Sequence, residues 1–334
     1  MAHQSAGAAG NGPFAIEAEH VAKQYGKEVR ALADLSFSVE RGTVFALLGP
    51  NGAGKSTAVK ILTAMTRPDS GRARVAGIDV VAHPQRVRRV IGCVAQKDAV
   101  DLEATGRENI TLQGQLYGMA SGDVRRRVTE LLDRFQLTEP ADRVSRTYSG
   151  GMRRKLGVAM GLVQRPEVLF LDEPTTGLDP EARSSLWAEI HRLATGDGVS
   201  VLLTTHYLDE ADHVAQRVAI VDAGRLVIEG TPDQLKSQLH GDALSIQLDA
   251  AAIVVDALRA LSSQTGRLRD VTSEGRTLHA RVDDGARALP GVLAALDAAG
   301  VIVATVTVSR PSLDDVYLSH TGRSFSAAHA GDSR

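Results

Sequence analysis

The sequence of 334 residues has one cysteine, Cys93, and no long uninterrupted run of apolar residues. A single cysteine excludes an internal disulfide and a cysteine-rich zinc site and suits a reducing compartment, and we expect Cys93 to be a small buried residue. A membrane-spanning helix needs about 18 consecutive apolar residues. The longest candidate, Val301 to Val308, is short and β-branched, which predicts a strand, so any membrane-spanning part must come from another chain.

An excess of charge of one sign is also missing, since 38 Lys and Arg stand against 40 Asp and Glu, for a formal net charge of −2. This balance gives no electrostatic argument for nucleic-acid binding by the whole chain. Residues 1–13 lack the basic and apolar regions of a signal peptide. We therefore expect a cytoplasmic chain with flexible ends at residues 1–13 and 324–334.

Hydrophobic residues make up 43% of the chain, enough for one large domain and a smaller one. The unbroken apolar run Val44 to Leu48 predicts a strand buried on both faces, and later strands alternate with helices, which indicates a mostly parallel sheet. Helical spacing prevails in residues 97–150 and predicts an inserted helical subdomain, in which the arginines at 125–127 form a solvated face. The fold class is an α/β domain over residues 14–238 with a small α+β domain of βαββαβ order over residues 239–323.

The segment Gly49 to Thr57 fits the phosphate-binding loop pattern G-x-x-x-x-G-K-[ST], between a predicted buried strand and a predicted helix. Its glycines let successive backbone N–H groups surround a polyphosphate, and the helix N-terminus attracts the same anion. Lys55 is expected to reach the β and γ phosphates, Ser56 to bind Mg²⁺ and Thr57 to reach the α-phosphate. The predicted nucleotide-binding residues of this loop are Gly49, Pro50, Asn51, Gly52, Ala53, Gly54, Lys55, Ser56 and Thr57.

The apolar strand Val168 to Leu171 ends in two acids, Asp172 and Glu173. Downstream of a phosphate loop, the first acid is placed to hold the Mg²⁺ shell and the second to polarise an attacking water as general base. His206 follows another predicted strand, at the sheet edge where ligands bind in open α/β sheets, although a lone histidine there is more often structural.

Two further helix starts carry capping residues. Ser149 is predicted to cap a helix that begins with Gly150 and Gly151, and Asp179 to cap one that begins with Pro180. The Ser149 end is the second anion-binding helix start of the chain. A chain rarely uses two anion-binding helix N-termini for one nucleotide. The Ser149 segment is therefore predicted to contact a nucleotide that is bound to a second chain.

In order and spacing, these motifs resemble the nucleotide-binding subunits of ABC transporters over roughly residues 14 to 232. The matching set is the Gly49 loop, Gln96, YSGGM at Tyr148 to Met152, FLDEP at Phe170 to Pro174, GLD at Gly177 to Asp179, and His206. The family usually has Leu where Tyr148 stands and Gln where Met152 stands, but neither change removes the serine or the glycines. The resemblance implies a P-loop ABC ATPase core that binds ATP and Mg²⁺ and works as a homodimer.

The resemblance also implies a role for each matched residue. Tyr25 is similar to the aromatic that stacks on adenine, and Gln96 to the residue that contacts Mg²⁺ and senses the transmembrane partner. The segment Ser149, Gly150 and Gly151 resembles the signature that grips the γ-phosphate on the opposite subunit. Asp179 resembles the loop residue that crosses the dimer interface. The implied metal ligands are Ser56, Gln96 and Asp172, and the implied catalytic residues are Lys55, Glu173 and His206, the last as the switch histidine.

Within this family the sequence is similar to the daunorubicin-resistance type of exporter ATPase. The similar segments are TYSGGMRRK at Thr147 to Lys155, LTTHYLDEAD at Leu203 to Asp212 and RPSLDDVYL at Arg310 to Leu318. The resemblance implies a chain that powers efflux of a drug-like or lipid-like compound through a separate integral membrane permease, at the cytoplasmic face of the cell membrane.

Three alternatives explain less of the sequence. A soluble ABC ATPase acting on ribosomes or DNA usually carries two cassettes or a long coiled coil, whereas this chain has one cassette and near-neutral charge. An importer ATPase is disfavoured by the C-terminal likeness. A phosphate-loop kinase outside the family leaves Ser149 and His206 unexplained. The transported compound and the role of the C-terminal domain stay open.

Overall fold

A computed structural model of the protein describes residues 12–26, 28–96, 99–239, 241–250, 254–262, 268–322 and 325. The chain forms two compact units, Met1–Gly230 and Thr231–Arg334. The predicted flexible ends lie outside the described residues, apart from Gly12, Pro13 and Phe325. Within the described ranges, no helix is long and apolar enough to cross a membrane.

The first unit alternates strands and helices. Its strands are β1 (Phe14–Tyr25), β2 (Val29–Glu40), β3 (Val44–Leu48), β4 (Ser70–Val75), β5 (Ile78–Asp79), β6 (Ile91–Val94), β7 (Val168–Asp172), β8 (Ser200–Thr205), β9 (Arg217–Asp222) and β10 (Arg225–Gly230). Its helices are α1 (Lys55–Leu62), α2 (Pro84–Val90), α3 (Gly106–Leu116), α4 (Ser121–Arg134), α5 (Gly150–Gly161), α6 (Pro180–Thr195) and α7 (Leu208–Val214).

One sheet with the strand order β5-β4-β1-β2-β10-β9-β3-β8-β7-β6 organises this unit. The neighbours from β9 to β6 are parallel, as the alternation predicted. By contrast β1, β2, β4 and β5 pair antiparallel, and β10 meets β2 through one pair, Arg225 with Asp34. Every residue of β3 is buried, so the continuous apolar run Val44–Leu48 does mark a central strand.

Apolar side chains on both sides of β3 and β7 form the core. Phe45 and Phe170 are fully buried, and the rings of Phe37 and Phe45 stack with their centroids 5.4 Å apart. The predicted strand from Phe14 continues to Tyr25, because the antiparallel partner β2 supplies backbone hydrogen bonds along this whole length.

The helical subdomain predicted in residues 97–150 is present as α3 and α4, followed by α5. Arg125 and Arg126 are exposed, in line with the predicted solvated face. Arg127 is buried instead, and its Nη2 donates a hydrogen bond to the Leu162 carbonyl oxygen at 2.6 Å. The helical turn places this arginine on the side that packs inward, beside Val124 and Val128.

The second unit contains α8 (Pro232–Ser237), β11 (Asp242–Leu248), α9 (Val254–Ser262), β12 (Arg269–Glu274), β13 (Thr277–Val282), α10 (Gly285–Ala298), β14 (Val303–Ser309) and α11 (Leu313–Thr321). From β11 to β14 this is the predicted βαββαβ order. The strands form an antiparallel sheet in the order β12-β13-β11-β14, the arrangement of ferredoxin-like domains. The α11 residues Leu313, Val316 and Tyr317 are buried, so the LDDVYL segment is structural.

Replacing Phe170 with Ala should lower the free energy of unfolding by about 3–5 kcal/mol, because the ring is fully buried in the central sheet. Urea denaturation measures this change. Leu112→Ala is the control, since Leu112 in α3 is 52% exposed and its truncation should cost less than about 0.5 kcal/mol. Equal losses in the two variants would contradict this placement of the core.

Candidate active site

The loop from Gly49 to Thr57 joins β3 to α1 at the carboxyl edge of the parallel strands. Gly54 caps α1 with φ of 101°, a conformation that favours glycine. A Cβ atom at Gly54 would lie 2.4 Å from the Ala31 carbonyl oxygen, so a side chain has no room there. The predicted loop therefore has its backbone wrapped tightly at the helix N-terminus, the geometry that binds phosphate.

Lys55 is buried beneath this loop. Its Nζ donates hydrogen bonds to the carbonyl oxygens of Gly49 at 2.6 Å and Pro50 at 2.9 Å. Burial lowers the pKa of the ammonium, while the nearby charges of Glu173 and Asp172 act to raise it. The Lys55 ammonium is thus held inside the loop by neutral carbonyl oxygens. The charged oxygens of an entering polyphosphate are stronger hydrogen-bond acceptors for it.

The two predicted acids leave the sheet at the end of β7. The hydroxyl group of Thr204 in β8 donates a hydrogen bond to Asp172 Oδ1. The backbone carbonyl oxygen of Thr204 accepts the Glu173 N–H at 3.1 Å. Glu173 has φ of 48°, in the left-handed region that costs a non-glycine residue about 1–3 kcal/mol. The sheet therefore holds this carboxylate in a strained turn beside the phosphate loop.

Three side chains surround the Glu173 carboxylate. His206 Nδ1 lies 3.0 Å from Oε1, and Gln96 Nε2 donates to Oε2 at 2.7 Å. Thr176 donates to Oε2 at 3.3 Å. Above all the His206 hydrogen bond, and then the charges of His206 and Lys55, hold the pKa of Glu173 below its usual value despite burial. The carboxylate is ionised at neutral pH and able to accept a proton.

The predicted Mg²⁺ ligands are oxygen donors of the kind that Mg²⁺ prefers. Ser56 lies in the first turn of α1, Asp172 ends β7, and Gln96 keeps its amide oxygen available because Nε2 already binds Glu173. Among the residues that the structure describes, no group of three His, Cys, Asp or Glu side chains could by itself hold a metal ion. Mg²⁺ is usually bound by one or two carboxylates together with water and phosphate.

Ser149 and Asp179 lie together at a second place in the first unit. Ser149 caps α5 by accepting the Met152 N–H at 3.2 Å, and Asp179 caps α6 by accepting the Ala182 N–H at 2.8 Å. A Cβ atom at Gly151 would lie 2.8 Å from the Ala182 Cβ, so the two helix starts are in close contact. None of the described hydrogen bonds of Ser149 reaches the phosphate loop.

Tyr25 and Tyr148 differ in their surroundings. Tyr25 at the end of β1 is 41% exposed, with Lys23 Nζ 5.7 Å from its ring centroid, so a ring face is open for stacking. Tyr148 is buried and donates to the Pro140 carbonyl oxygen at 2.7 Å. Gly106 leaves room for it, since a Cβ atom there would lie 2.4 Å from the Tyr148 hydroxyl. Tyr148, which stands where the family usually has Leu, therefore fits inside the helical subdomain.

The expectation of a buried Cys93 is wrong, since Cys93 is exposed within β6. Cys93 shares a face of this edge strand with Ile91, and both line a groove that leaves Cys93 open to solvent. The atoms around the thiol still limit its solvation, which together with the charge of Asp172 raises the pKa of Cys93 to about 11.

Arg154 of α5 is a buried side chain that the sequence motifs did not single out. It hydrogen-bonds the carbonyl oxygens of Ala95, Asp172, Glu173 and Pro174. Helical spacing could have predicted the burial of Arg154, since Arg154 lies on the same inward face as the buried apolar residues further along α5.

The strain at Glu173 predicts an order of stabilities. Glu173→Gly should be more stable than Glu173→Ala by about 1–2 kcal/mol, because both lose the carboxylate and only glycine relieves the positive φ. Thermal or urea unfolding measures the difference. The control pair is Thr129→Gly and Thr129→Ala in the exposed middle of α4, where alanine should be the more stable by about 1 kcal/mol. The same order at both positions would disprove the strain.

Comparisons with known proteins identify the family of the chain. A family model described as ABC transporter matches residues 32–176, and one described as ATP-binding protein DrrA1-3-like, C-terminal domain, matches residues 230–321. The chain is 46% identical to the Daunorubicin resistance ATP-binding protein DrrA3 of Streptomyces coeruleorubidus over 308 residues, covering 92% of this chain and 96% of that protein.

Two further comparisons are with a second relative and with a solved structure. The chain is 42% identical to the Doxorubicin resistance ATP-binding protein DrrA of Mycobacterium tuberculosis over 321 residues, covering 93% of this chain and 95% of that protein. The structure of cbiO1 from Clostridium perfringens, part of the ABC transporter complex cbiONQ, matches with a TM-score of 0.64 and 26% identity, over 68% of this chain and 92% of that one. The chain belongs to the ATP-binding subunits of ABC transporters, the family whose members hydrolyse ATP to drive transport, and it carries a DrrA-like C-terminal domain.

Proposed function

We propose that two copies of this chain close around two ATP molecules, each site combining the phosphate loop of one copy with the Ser149 segment of the other. The observation that carries this proposal is the arrangement of the first unit. Lys55, Glu173, Gln96 and His206 meet at one sheet edge, whereas Ser149 is anchored on α5 and α6. Ser149 then needs a second copy to reach an ATP molecule.

In this site each side chain has a separate task. Lys55 leaves the carbonyl oxygens of the loop and takes the β and γ phosphates, and the loop N–H groups share their charge. Ser56, Gln96 and Asp172 would hold Mg²⁺, which would neutralise phosphate charge. Glu173 orients and deprotonates the attacking water, since its carboxylate is ionised at neutral pH. Such positioning and charge stabilisation supply most of the catalysis of phosphoryl transfer.

Five further roles complete the site. Thr57, next to Ser56 at the start of α1, contacts the α-phosphate, and the exposed ring of Tyr25 stacks on adenine. Gly49, Pro50, Asn51, Gly52, Ala53 and Gly54 provide the backbone of the phosphate cradle. His206 contacts the γ-phosphate while its Nδ1 faces Glu173, so binding and base orientation are connected. Asp179, beside the Ser149 helix start, crosses between the copies with Gly150 and Gly151.

The transport function follows from the relatives, which confer resistance to daunorubicin and doxorubicin according to their names. The chain powers export of a drug-like or lipid-like compound through a separate integral membrane permease, and it is bound to that permease at the cytoplasmic face of the membrane.

The permease contact is assigned to an apolar groove of about 500 Å³ in the first unit, lined by Thr63, Met65, Arg88, Ile91, Cys93 and Tyr117. Met65 in this groove is 69% exposed, and Leu116, which precedes Tyr117 in the chain, is 73% exposed. A groove with a flexible methionine suits the apolar face of a helix. We propose that a cytoplasmic helix of the permease occupies this groove, because Cys93 in the groove belongs to β6, the strand that leads to Gln96 in the ATP site.

Glu173→Gln should lower the rate of ATP hydrolysis by at least about a hundredfold while ATP affinity changes little, because the amide keeps the shape but cannot take a proton. Phosphate release and equilibrium binding of ATP measure the two quantities. Glu139→Gln is the control, an exposed glutamate outside the site that should keep full turnover. Undiminished hydrolysis by Glu173→Gln would remove Glu173 as the base.

Met65→Asp should prevent capture of the permease, because Met65 lines the apolar groove, is 69% exposed and would place a charge there. The tagged chain is purified from detergent-solubilised membranes of its host, and its companions are identified by mass spectrometry. The unmodified chain should bring a stoichiometric multi-helix membrane protein, and so should the control Ile302→Asp in the second unit, where Ile302 is 66% exposed. Capture by Met65→Asp would place the contact elsewhere. Ribosomal proteins in place of a membrane protein would favour a soluble ABC ATPase.

A further inference from the structure

Arg154 lies in the second turn of α5 and is only 5% exposed. Its Nε donates to the Pro174 carbonyl oxygen at 2.7 Å, and its Nη1 donates to that of Ala95 at 2.8 Å. Its Nη2 is shared between the carbonyl oxygens of Asp172 at 2.9 Å and Glu173 at 3.1 Å. All three nitrogens of the guanidinium are thus engaged with backbone oxygens.

These carbonyl groups belong to two catalytic segments. Three of them are the carbonyl groups of the consecutive residues Asp172, Glu173 and Pro174. Glu173 is the residue with a positive φ that follows β7. The fourth, from Ala95, immediately precedes Gln96, whose amide donates to the Glu173 carboxylate. One buried side chain therefore fixes the backbone of the proposed base and the start of the segment that holds its carboxylate.

The same helix begins at the Ser149 segment. Ser149 caps α5, and Arg154 follows a little over one turn later, so the cap and the guanidinium move together as parts of one rigid helix. In the proposed dimer, Ser149 of a chain binds the γ-phosphate of its partner's ATP. A shift of α5 on that contact is transmitted through Arg154 to the Glu173 backbone of the same chain.

We propose that Arg154 is a positioning residue that couples the two ATP sites, by connecting the signature helix of each chain to the base of that chain's own site. The inference rests on the proposed two-ATP dimer and adds a route by which each site detects ATP in the other.

The chemistry of arginine suits this connection. Its planar guanidinium directs N–H groups along fixed, divergent directions, which lets one side chain hold carbonyl oxygens from separate segments. A lysine ammonium is a compact charge that cannot span the same set. A methionine fills similar space without donors, so Arg154→Met removes the hydrogen bonds at small cost in packing.

The test uses the full-length chain and ATP. Arg154→Met should lower kcat about tenfold and reduce the Hill coefficient for ATP from about 2 towards 1, because the sites are no longer coupled. The affinity for a fluorescent ATP analogue at the phosphate loop should stay within about twofold, since Arg154 does not contact the loop in its described hydrogen bonds. Arg154→Lys should restore part of kcat.

Arg125→Met is the matched control, the same substitution at an exposed arginine on neighbouring α4, and it should leave kcat and the Hill coefficient unchanged. A lower kcat with full cooperativity in Arg154→Met would reduce Arg154 to a support for the Glu173 backbone and overturn the coupling. If Arg154→Met does not fold, the Hill coefficient of Arg154→Lys is measured instead. A Hill coefficient equal to that of the unmodified chain would contradict the proposal. An unmodified chain that hydrolyses ATP without cooperativity would also overturn the coupling. A Glu173→Gln chain that stays monomeric with bound ATP in size-exclusion chromatography would instead refute the two-ATP dimer itself.

Discussion

The register of the parallel strands β3, β8 and β7 is the constraint on which the site depends. Leu48 pairs with Thr205, and Thr204 pairs with Asp172, so the three strands end at the same level. The phosphate loop, His206 and Glu173 follow directly and meet at one edge. A slip of one residue between any two of these strands would turn the side chains at that edge to the opposite face of the sheet.

The chemistry at this edge depends on buried charges that support one another. Lys55 is buried, and the carboxylates of Asp172 and Glu173 oppose the effect of burial on its pKa. The pKa of Glu173 is in turn lowered by the hydrogen bond to His206 and by the charges of His206 and Lys55. Its strained backbone is held by the β8 backbone and by Arg154. Loss of any one of these groups changes the charge state or position of the others, as expected for a coupled cluster.

The chain also connects this edge to two surfaces. Cys93 lies in the apolar groove on the strand that leads to Gln96, and Gln96 donates to Glu173. On the other side, Arg154 joins the Glu173 backbone to the helix that Ser149 caps. A membrane partner in the groove and a second copy at Ser149 would therefore both act on the same carboxylate, through separate hydrogen bonds.

The family and most of the elements could be predicted from the sequence. Local patterns were sufficient for the phosphate loop, the buried strand Val44–Leu48, the caps Ser149 and Asp179, and the βαββαβ order of the second unit, since each depends on residues close together in the chain. Which side chains contact one another could be seen only in the folded chain. The exposed face of Cys93, the burial of Arg127 and the carbonyl contacts of Arg154 depend on neighbours distant in sequence. Side-chain burial in such places is set by packing between elements, which local periodicity does not encode.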